Sequence, residues 1–450
     1  MPYKTILIPI ESQVRELDGK LLLACTAAAK GFTSIIGSRS HIHFYSSRIN
    51  NCIYIAKSMR RFSERMFKIL HQLGHKIVAW DEEGLVRLPD QQYYMHRLSP
   101  VTFSYIDHLF AWGESNARVF RNYSGYKQQP IHSFGNPRID IIRPELRSYF
   151  QPEVDSIVKA HGNYILINTN FGQINHFIPS LGKKETSRDK NFAENSSDQF
   201  TSRRHAHKTE LFSHFRQTIP LLADTFPDIK FVVRPHPSEN TETWKKLLGN
   251  KANTFVSNEG NVIPWIMGSK ALISNGCTTS IESTILGKPT LGYYPVFNDE
   301  IDDIIPKALC DIATSGQELV IKIRHSLAHQ DNSSPLPVIL NEHIANLSGP
   351  LACDNIINTL YDAYYHLEQA KTPLACRLKG FIHNEARTLV KHYNSMKKEH
   401  RNSSNYHKHR YPEISTEYIY EKNKRLDHLT NRFEAIEVKQ ISKYIFKITG

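Results

Sequence analysis

The segment "FVVRPHPSEN", residues 231–240, ends a hydrophobic run with a cation, an imidazole and two prolines. The planar guanidinium of Arg234 can pair with a phosphate or a carboxylate. The imidazole of His236 can donate to a phosphate or protonate a leaving group. The prolines restrict the loop that carries both side chains. The segment therefore predicts an anion-binding loop at a strand end, although a structural turn after a buried strand would give the same pattern.

A second segment, "NGCTTSIES" at residues 275–283, combines a turn glycine with hydroxyl side chains. Three of them stand at or just before a predicted helix start: Thr278, Thr279 and Ser280. The unpaired N–H groups and the dipole of a helix N-terminus favour an anion there. Ordinary N-capping needs only one hydroxyl, so three favour a phosphate site. Glu282, one turn into the helix, can reach a ribose hydroxyl or simply favour the dipole.

Amide side chains close two further predicted strands. Asn170 ends "ILINTN" and Asn275 follows "ALIS". Ligands of open α/β sheets bind outside the carboxyl ends of the strands, so we expect these groups at one rim. The predicted donor-binding set is Arg234, His236, Asn170, Asn275, Thr278, Thr279, Ser280 and Glu282.

Acidic side chains follow two strands in the first part of the chain. "DEEG" begins at residue 81 after "KIVAW", and Glu11 follows "ILIPI". A carboxylate at such a place can act as the general base that deprotonates an acceptor hydroxyl. Acids that open a helix or turn would look the same. The candidate catalytic residues are Asp81, Glu82, Glu83 and Glu11.

Strands alternate with helices through most of the chain, which predicts parallel, doubly wound sheets. In the first half we expect strands at 4–10, 33–38, 75–80, 108–113 and 131–136, with helices at 17–31 and 57–73. The pattern pauses near 141–163 and then restarts with strands at 163–170, 230–235, 254–258, 271–276 and 289–294 and helices at 208–225 and 278–288. The predicted fold class is therefore α/β, with two Rossmann-like domains facing a cleft.

The chain is too long for one ordinary core, and its composition sets the predicted domains. Residues 1–150 form an acceptor-side domain, and residues 160–350 form a nucleotide-donor domain with a polar insertion at 178–208. Residues 351–450 form C-terminal helices and a basic tail.

Composition and missing motifs exclude several classes. The N-terminus lacks the apolar core of a signal peptide, and six scattered cysteines fit a reducing cytoplasm. Neither GxGxxG nor GxxxxGK[ST] occurs, which argues against dinucleotide dehydrogenases and P-loop kinases. There is no DxD triplet to carry a metal-bound nucleotide sugar, so we expect no metal and no cofactor.

Positive charge is concentrated at the C-terminus. The net charge is +12, and residues 387–450 hold 14 Lys or Arg against 7 Asp or Glu. This surplus predicts docking on the inner face of an anionic membrane, with a solvated tail as the alternative. The tail lacks regularly interleaved aromatics and any recognition motif, so nucleic acid is not an expected partner.

Six segments, taken in order over roughly residues 3–385, resemble the bacterial surface carbohydrate biosynthesis proteins. They are "IPIESQVRELDGKLLLACTAAAKGF", "VAWDEEGLV", "GNPRIDIIRPELRSYF", "ILINTNFGQINH", "FVVRPHPSEN" and "SNGCTTSIESTILGKPTLGY". The resemblance implies a glycosyltransferase of the two-Rossmann GT-B architecture.

Individual residues match motifs of this family. His236 and Pro237 match an HP motif similar to that of Kdo transferases, sialyltransferases and polyol-phosphate polymerases, and this implies a cytidine-nucleotide donor. Thr278 to Ser280 match the phosphate-binding helix start, and Asp81 to Glu83 match by position the place of a base. The insertion at 178–208 and the tail after 400 lie outside the family pattern.

The predicted function is a metal-independent glycosyltransferase that builds a surface polysaccharide or lipopolysaccharide. The expected donor is a CMP-activated ulosonic acid, and the expected acceptor is lipid-linked or a glycan. Three alternatives remain: a CDP-polyol phosphotransferase of the same fold, a non-catalytic sugar- or lipid-binding subunit of an assembly complex, and a nucleotide-sugar epimerase.

Overall fold

The computed structural model describes residues 3–87, 89–180, 196–329, 335–367 and 372–450, which form two compact units. Unit 1 comprises Met1–Tyr149, Val338–Lys398 and Asn402–Gly450. Unit 2 comprises Phe150–Pro337 and Glu399–Arg401. The sequence had set residues 351–450 apart as a third region, and the structure corrects this, because nearly all of them belong to unit 1.

The strands, in chain order, are β1 (Thr5–Ile10), β2 (Thr33–Ser38), β3 (Ile53–Ala56), β4 (Lys76–Ala79), β5 (His108–Ala111), β6 (Ile131–Ser133), β7 (Tyr164–Asn168), β8 (Lys230–Arg234), β9 (Thr254–Val256), β10 (Ala271–Ser274), β11 (Thr290–Tyr293), β12 (Asp311–Ala313), β13 (Glu437–Ser442) and β14 (Ile445–Thr449).

The helices of the described residues, up to the end of the second sheet, are α1 (Gln13–Ala29), α2 (Arg39–Tyr45), α3 (Glu64–Gln72), α4 (Asp90–Arg97), α5 (Pro100–Phe103), α6 (Glu114–Asn122), α7 (Pro137–Asp140), α8 (Gln151–His161), α9 (Ser196–Thr225), α10 (Thr241–Leu248), α11 (Val262–Gly268), α12 (Thr278–Ile285), α13 (Ile304–Ala308) and α14 (Gly316–Ala328). Those that follow are α15 (Ile339–His343), α16 (Ala352–Leu360), α17 (Leu374–Ser395), α18 (Ser404–Arg410) and α19 (Thr416–Thr430).

The sheet of unit 1 has the strand order β13-β14-β2-β1-β3-β4-β5-β6. Strands β1 to β6 are parallel, and β14 pairs antiparallel with β2. The parallel strands read as short apolar runs because helices cover both faces of such a sheet. The order 2-1-3-4-5 places a topological switch point between β1 and β3, where ligands of doubly wound sheets bind.

The last residues of the chain complete unit 1. In β14, Ile445, Phe446 and Ile448 are buried against the sheet, and in α19 Ile419 and Leu426 are buried as well. The segment predicted as C-terminal helices and a basic tail is therefore folded onto unit 1 through the apolar residues between its charges. No helix of the described residues has the length and apolar character needed to cross a membrane.

The sheet of unit 2 has the order β12-β11-β10-β7-β8-β9, with all pairs parallel. This is the 3-2-1-4-5-6 order of the Rossmann fold, whose switch point lies between its first and fourth strands, here β7 and β10. With the sheet of unit 1, it confirms the predicted α/β class with two Rossmann-like doubly wound domains.

Helix α9 corrects the predicted insertion. The sequence assigned residues 178–208 to a polar insertion and started the next helix near 208, but α9 already begins at Ser196. Residues 181–195 lie outside the described residues. The helix is held by an apolar face that includes Leu211, Phe215 and Ile219 in the core of unit 2.

Candidate functional site

Two buried amides lie at the switch point of unit 2. Asn168 ends β7 and is 4% exposed, and Asn275 follows β10 and is 1% exposed. Among the described residues, neither the oxygen nor the nitrogen of either side-chain amide has a hydrogen-bond partner. Leaving one buried polar group unsatisfied costs about 1–3 kcal/mol. Two such amides at a switch point therefore indicate a place where a polar ligand or ordered water binds.

The N-terminus of α12 lies directly after Asn275. Gly276 has a φ of +79°, a conformation that glycine adopts without strain. Cys277 is the extended N-cap, and its Sγ lies 2.6 Å from Oγ1 of Thr279. Thr278 and Thr279 belong to the first turn and are half-buried. The first turn of a helix presents backbone N–H groups to an anion, and here it also carries the two threonines.

Ser280 differs from its two neighbours. It is fully buried, and its Oγ lies 2.5 Å from Oγ of Ser274 at the end of β10. The hydroxyl therefore joins the helix to the strand, and its role in phosphate binding stays a prediction. Glu282, 2% exposed, lies on the same helix one turn in.

Arg234 is turned towards the protein. Its Nη1 donates to the carbonyl of Glu259 (2.8 Å) and its Nη2 to that of Gly260 (3.0 Å). The guanidinium carbon lies 5.1 Å from the centroid of the Trp265 ring. Burial lowers the pKa of Arg234 to about 9. The structure gives Arg234 the role of holding the loop after β9, in place of the predicted contact with a phosphate or carboxylate.

His236 has a defined orientation. Its Nδ1 lies 2.7 Å from Oγ of Ser238 and accepts the backbone N–H of the same residue at 3.2 Å. A backbone N–H can only donate, so in the neutral ring the proton sits on Nε2. A Cβ at Gly172 would lie 2.0 Å from Oγ of Ser238, so the loops after β7 and β8 are in close contact here. The neutral imidazole is therefore a donor at Nε2.

Glu239 organises these loops and was missed by the sequence analysis. It is fully buried, and its Oε1 accepts from Oγ1 of Thr169 (2.8 Å) and from the backbone N–H groups of Phe171 (2.9 Å) and His236 (3.1 Å). Its Oε2 accepts from Nε1 of Trp244 at 3.0 Å. Burial raises the pKa of Glu239, and these donors oppose the rise. Nothing in one sequence distinguishes this carboxylate from an exposed acid in a turn.

Asn170 is half-buried, two residues beyond the end of β7. It therefore follows the strand that ends in Asn168, as the sequence predicted, on the loop that Glu239 anchors.

Helix α9 brings cations to the same side of unit 2. The pKa of Lys208 is lowered by burial and by the charge of Arg204, while the nearby Asp303 and Asp302 oppose the shift and Cys277 lies within electrostatic reach. His207 fixes the helix there, with Nε2 2.9 Å from Oδ1 of Asp302. These cations stand within or just beside the predicted insertion, so sequence reasoning did not connect them with the helix start at Cys277.

The switch point of unit 1 carries a network of ion pairs. Glu11, directly after β1, contacts Lys57 (3.1 Å) and Arg39 (3.1 Å). Glu16 contacts Lys57 (2.6 Å) and Lys20 (2.7 Å) and accepts the backbone N–H groups of Glu11 and Ser12. Glu16 was not among the predicted site residues, because in the sequence it reads as one more polar residue of α1.

Two of the predicted acids are buried members of such pairs. Asp81 is fully buried, accepts from the hydroxyl of Tyr93 (2.8 Å) and contacts Arg97 through both carboxylate oxygens. Burial raises its pKa to about 7, but a guanidinium that touches both oxygens favours the ionised form. Glu82 lies 2.9 Å from Nε1 of Trp80 and is also buried. Neither presents a carboxylate to solvent, and their role as bases stays a prediction.

Glu83 and Glu11 are the predicted acids that remain partly exposed, with side chains 41% and 33% accessible. Arg15 contacts Glu83 through two nitrogens at 2.7 and 3.1 Å. Burial favours a higher pKa for Glu83, but Arg15 outweighs it and lowers the pKa to about 2. The pKa of Glu11 is likewise lowered against burial, by Arg39 and Lys57. Both carboxylates are therefore held in the ionised form.

No protein-family model matches the sequence, and no curated protein does either. Among solved structures, the chain is similar to the UDP-GlcNAc 2-epimerase of Methanocaldococcus jannaschii, with a TM-score of 0.48, 10% identity and coverage of 80% of this chain and 99% of that one. It is also similar to S. aureus MnaA bound to UDP, with a TM-score of 0.48, 11% identity and coverage of 80% and 96%. A third is the wall teichoic acid polymerase TagF, with a TM-score of 0.45, 10% identity and coverage of 86% and 90%. The overall likeness to each is low, and the fold assignment rests on the strand orders given above.

Proposed function

We propose that the protein is a transferase of surface polysaccharide biosynthesis that binds a nucleotide-activated sugar donor in unit 2. The observation that carries the proposal is the pair of buried amides, Asn168 and Asn275, at the switch point next to the N-terminus of α12. Amides can donate to and accept from the hydroxyls of a sugar or the edge of a base. The helix N-terminus supplies the complementary group for the phosphate that joins them.

The proposed reaction assigns a task to each group. An acceptor hydroxyl attacks the anomeric carbon, the bond from that carbon to the phosphate oxygen breaks, and the hydroxyl proton passes to a base. Negative charge then grows on the departing phosphate. The first turn of α12, Lys208 and Nε2–H of His236 stabilise that charge because they are fixed before the reaction begins. Glu282 remains the candidate partner of a ribose hydroxyl.

Glu11 and Glu83 are the proposed bases of unit 1, because each exposes part of its carboxylate. A base works best when its pKa lies near the working pH, and the neighbouring cations hold both pKa values low. The proposal therefore requires the pairs Arg15–Glu83 or Arg39–Glu11 to separate when the acceptor binds.

The finer choice of donor rests on the resemblance, which implies a cytidine nucleotide and, as first choice, a CMP-activated ulosonic acid. Arg234 is predicted to pair with a phosphate or a carboxylate, and this donor carries both, but its nitrogens donate to the carbonyls of Glu259 and Gly260. A donor without a carboxylate needs no such cation. This favours a second candidate, a phosphotransferase that uses a CDP-polyol and attacks phosphorus.

The acceptor is proposed to be lipid-linked or a glycan. The basic residues of 387–450, now part of unit 1, support docking on the anionic inner face of a membrane.

The test is titration calorimetry of the full chain with CMP, CDP, UDP and GDP, with and without EDTA. We expect a cytidine nucleotide to bind in the presence of EDTA and Asn275→Ala to weaken it by about 1–3 kcal/mol. Lys208→Ala should weaken it as well, and Lys246→Ala, an exposed lysine on α10, should not. Failure of all four nucleotides to bind, or an unchanged affinity in Asn275→Ala and Lys208→Ala, would remove the donor site from unit 2.

A transfer assay separates the two donors. A CMP-activated ulosonic acid and a CDP-polyol are each incubated with the protein and a membrane extract. Release of CMP accompanied by a new glycosidic bond supports the first candidate. Release of CMP accompanied by a new phosphodiester supports the second.

A further inference from the structure

A group of cations gathers at the carboxyl edge of the unit 1 sheet. Arg39 begins α2 directly after β2, and Arg387 and Lys391 lie one turn apart on α17. Nη2 of Arg387 lies 3.4 Å from Nδ1 of His43, and Nζ of Lys391 lies 5.9 Å from the centroid of the Phe44 ring. Both cations therefore lie beside the helix that Arg39 begins, although 348 positions separate Arg39 from Arg387 along the chain. Burial lowers the pKa of Lys391 and of Arg387, and like charges add to both shifts: Arg387 and Arg39 to that of Lys391, and Arg39 to that of Arg387.

The histidine beside them is neutral. Nη2 of Arg387 lies 3.4 Å from Nδ1 of His43, and Nε2 of the same ring lies 2.7 Å from the hydroxyl of Tyr54. Burial and the charges of Arg387, Lys391 and Arg39 hold the pKa of His43 well below its usual value. His43 thus accepts from Arg387 without balancing its charge.

Few carboxylates pair with the cations of this group. Within the described ranges, no carboxylate forms an ion pair with Arg387 or Lys391, and the buried Nη1 of Arg387 has no hydrogen-bond partner. Glu11 is the acid that faces the group, but Arg39, Lys57 and Arg410 share it, at 3.1, 3.1 and 3.8 Å. Cations packed together with one shared carboxylate repel one another, and an anion bound among them would relieve that repulsion.

We propose that Arg39, Arg387 and Lys391 bind a phosphate group of a second substrate, separate from the nucleotide donor. Two guanidinium groups and an ammonium match the three outer oxygens of a phosphate. Glu11 places a negative charge at one side of the site. Arg39 lies on α2 and the other two cations lie on α17, so regular helices position all three. That this phosphate belongs to the acceptor rests on the proposed function, whereas phosphate binding in unit 1 does not.

The assignment also fits the topology. Residues at the carboxyl edge of a doubly wound sheet, near its switch point, contact ligands. Glu11 follows β1 and Arg39 follows β2, so both stand at that edge. The C-terminal part of the chain contributes the other two cations. The site is therefore complete only when α17 is packed against α2 and α3.

The experiment is thermal unfolding and calorimetry of the full chain with inorganic phosphate as the probe. We expect phosphate to raise the melting temperature of the wild-type protein. In Lys391→Gln and Arg387→Gln, the affinity for phosphate should fall roughly 10- to 100-fold, the usual weight of a hydrogen bond to a charged group. Both variants should melt higher than the wild type without phosphate, because one repelling charge is gone. A merely structural cation would instead lower the melting temperature when removed.

Two controls locate the effect. Lys398→Gln removes an exposed lysine just beyond α17 and should behave as the wild type. Lys208→Ala removes a cation of the proposed donor site and should keep the phosphate response of unit 1. If the response disappears in Lys208→Ala and persists in Lys391→Gln, the proposal is wrong even though the donor site stands. If Arg387→Gln does not fold, Lys391→Gln decides alone.

Two further ligands distinguish the possible sources of the phosphate. Glucose 1-phosphate represents a soluble sugar phosphate, and vesicles of phosphatidylcholine with one fifth phosphatidic acid represent a lipid phosphate. Binding that depends on Lys391 in either arm supports the site and identifies its source. If both ligands bind Lys391→Gln as well as the wild type, the cation group is not a phosphate site.

Discussion

The carboxyl edges of the two sheets differ in how their polar groups are satisfied. In unit 2, Asn168 and Asn275 are buried without hydrogen-bond partners among the described residues. In unit 1, Glu11 and Glu16 each contact at least two cations. The amides of the first edge lack hydrogen-bond partners, whereas the carboxylates of the second edge are engaged in ion pairs. Two sheets of one class thus offer different chemistry: one edge suits a hydroxyl-rich ligand that carries a phosphate, and the other has cations in excess.

The charges available at the two edges are the opposite of those that the sequence suggested. The sequence placed a cation, Arg234, at the edge of unit 2, and free acids at the edge of unit 1. In the structure Arg234 binds carbonyl groups, and the acids are paired with cations that come from distant parts of the chain. The residues lie at the strand ends where they were expected, but their partners change what they can do.

The largest expected effect concerns the acids of unit 1. If Glu11 or Glu83 is the base, replacing it with Gln should lower turnover by roughly 10²–10⁴-fold, the typical contribution of general base catalysis. Affinity for the donor nucleotide should stay unchanged because the donor site lies in unit 2. Single-turnover kinetics with the activated donor measure the loss. Turnover kept in both Glu11→Gln and Glu83→Gln would show that the ion pairs of this edge are structural.

The next effect is on stability in unit 2. Glu239→Ala leaves several buried donors without an acceptor, among them Nε1 of Trp244 and Oγ1 of Thr169. Each orphaned donor costs about 1–3 kcal/mol, so we expect a loss of roughly 3 kcal/mol in the free energy of unfolding. Urea denaturation measures it. Glu242→Ala, an exposed acid on the adjoining helix, is the control, and equal losses in both variants would contradict the anchoring role of Glu239.

A smaller effect is expected at the imidazole. His236→Ala removes the Nε2–H donor and should weaken nucleotide binding by about 1.5–3 kcal/mol, as for a hydrogen bond to a charged group. Calorimetry gives this difference, with His329→Ala, an exposed histidine of unit 2, as the matched variant. Wild-type affinity in His236→Ala would remove the imidazole from the phosphate site and leave α12 and Lys208 as its ligands.

Local patterns explain what could be predicted of the fold. "TSIIGS" gave β2 at Thr33–Ser38 because it is an apolar run ended by turn residues. Strands β3 and β12, of four and three residues, were not predicted, although strands of the same length such as β4 and β9 were. The sequence does not predict the hairpin of β13 and β14, because the exposed positions of β13 are all polar or charged. Its place in the sheet is decided by pairing with β2, more than 400 residues earlier.

The site was predictable in position but not in its contacts. Strand ends can be read from a sequence, and Asn275 and His236 lie where they were expected. The carbonyls that hold Arg234 belong to residues 25 and 26 positions later, and Lys57 reaches Glu16 over 41 positions. Such partners depend on tertiary packing. A sequence also does not show which of its polar side chains are buried, so Glu239 and Glu16 could not be recognised as buried residues of the two edges.

The smallest expected effect is a pH dependence at the cation group of unit 1. Burial, followed by the charges of Arg387 and Arg39, lowers the pKa of Lys391 to about 7, whereas an unfolded chain keeps it near 10.4. The unfolded state therefore binds more protons between these values, and the stability of the fold should rise with pH from about 7 to about 9. The groups that face Lys391 are Arg387, Arg39, His41, His43 and Glu11. Of these, the two histidines have lowered pKa values and stay neutral over this range.

Urea unfolding at pH 7 and pH 9 measures this dependence. We expect a rise of about 1 kcal/mol in the wild type, a part of the ~1.4 kcal/mol that each unit of pKa shift represents, because Lys391 is only half-buried. Lys391→Gln should lack that rise, while Lys398→Gln should retain it. Saturating phosphate should also remove it, since a bound anion raises the pKa of Lys391 and keeps the ammonium charged. Equal slopes in the wild type and Lys391→Gln would mean that Lys391 is not repelled by its neighbours. The contrast between a crowded cationic edge in unit 1 and an edge with unsatisfied amides in unit 2 would then lose its energetic basis.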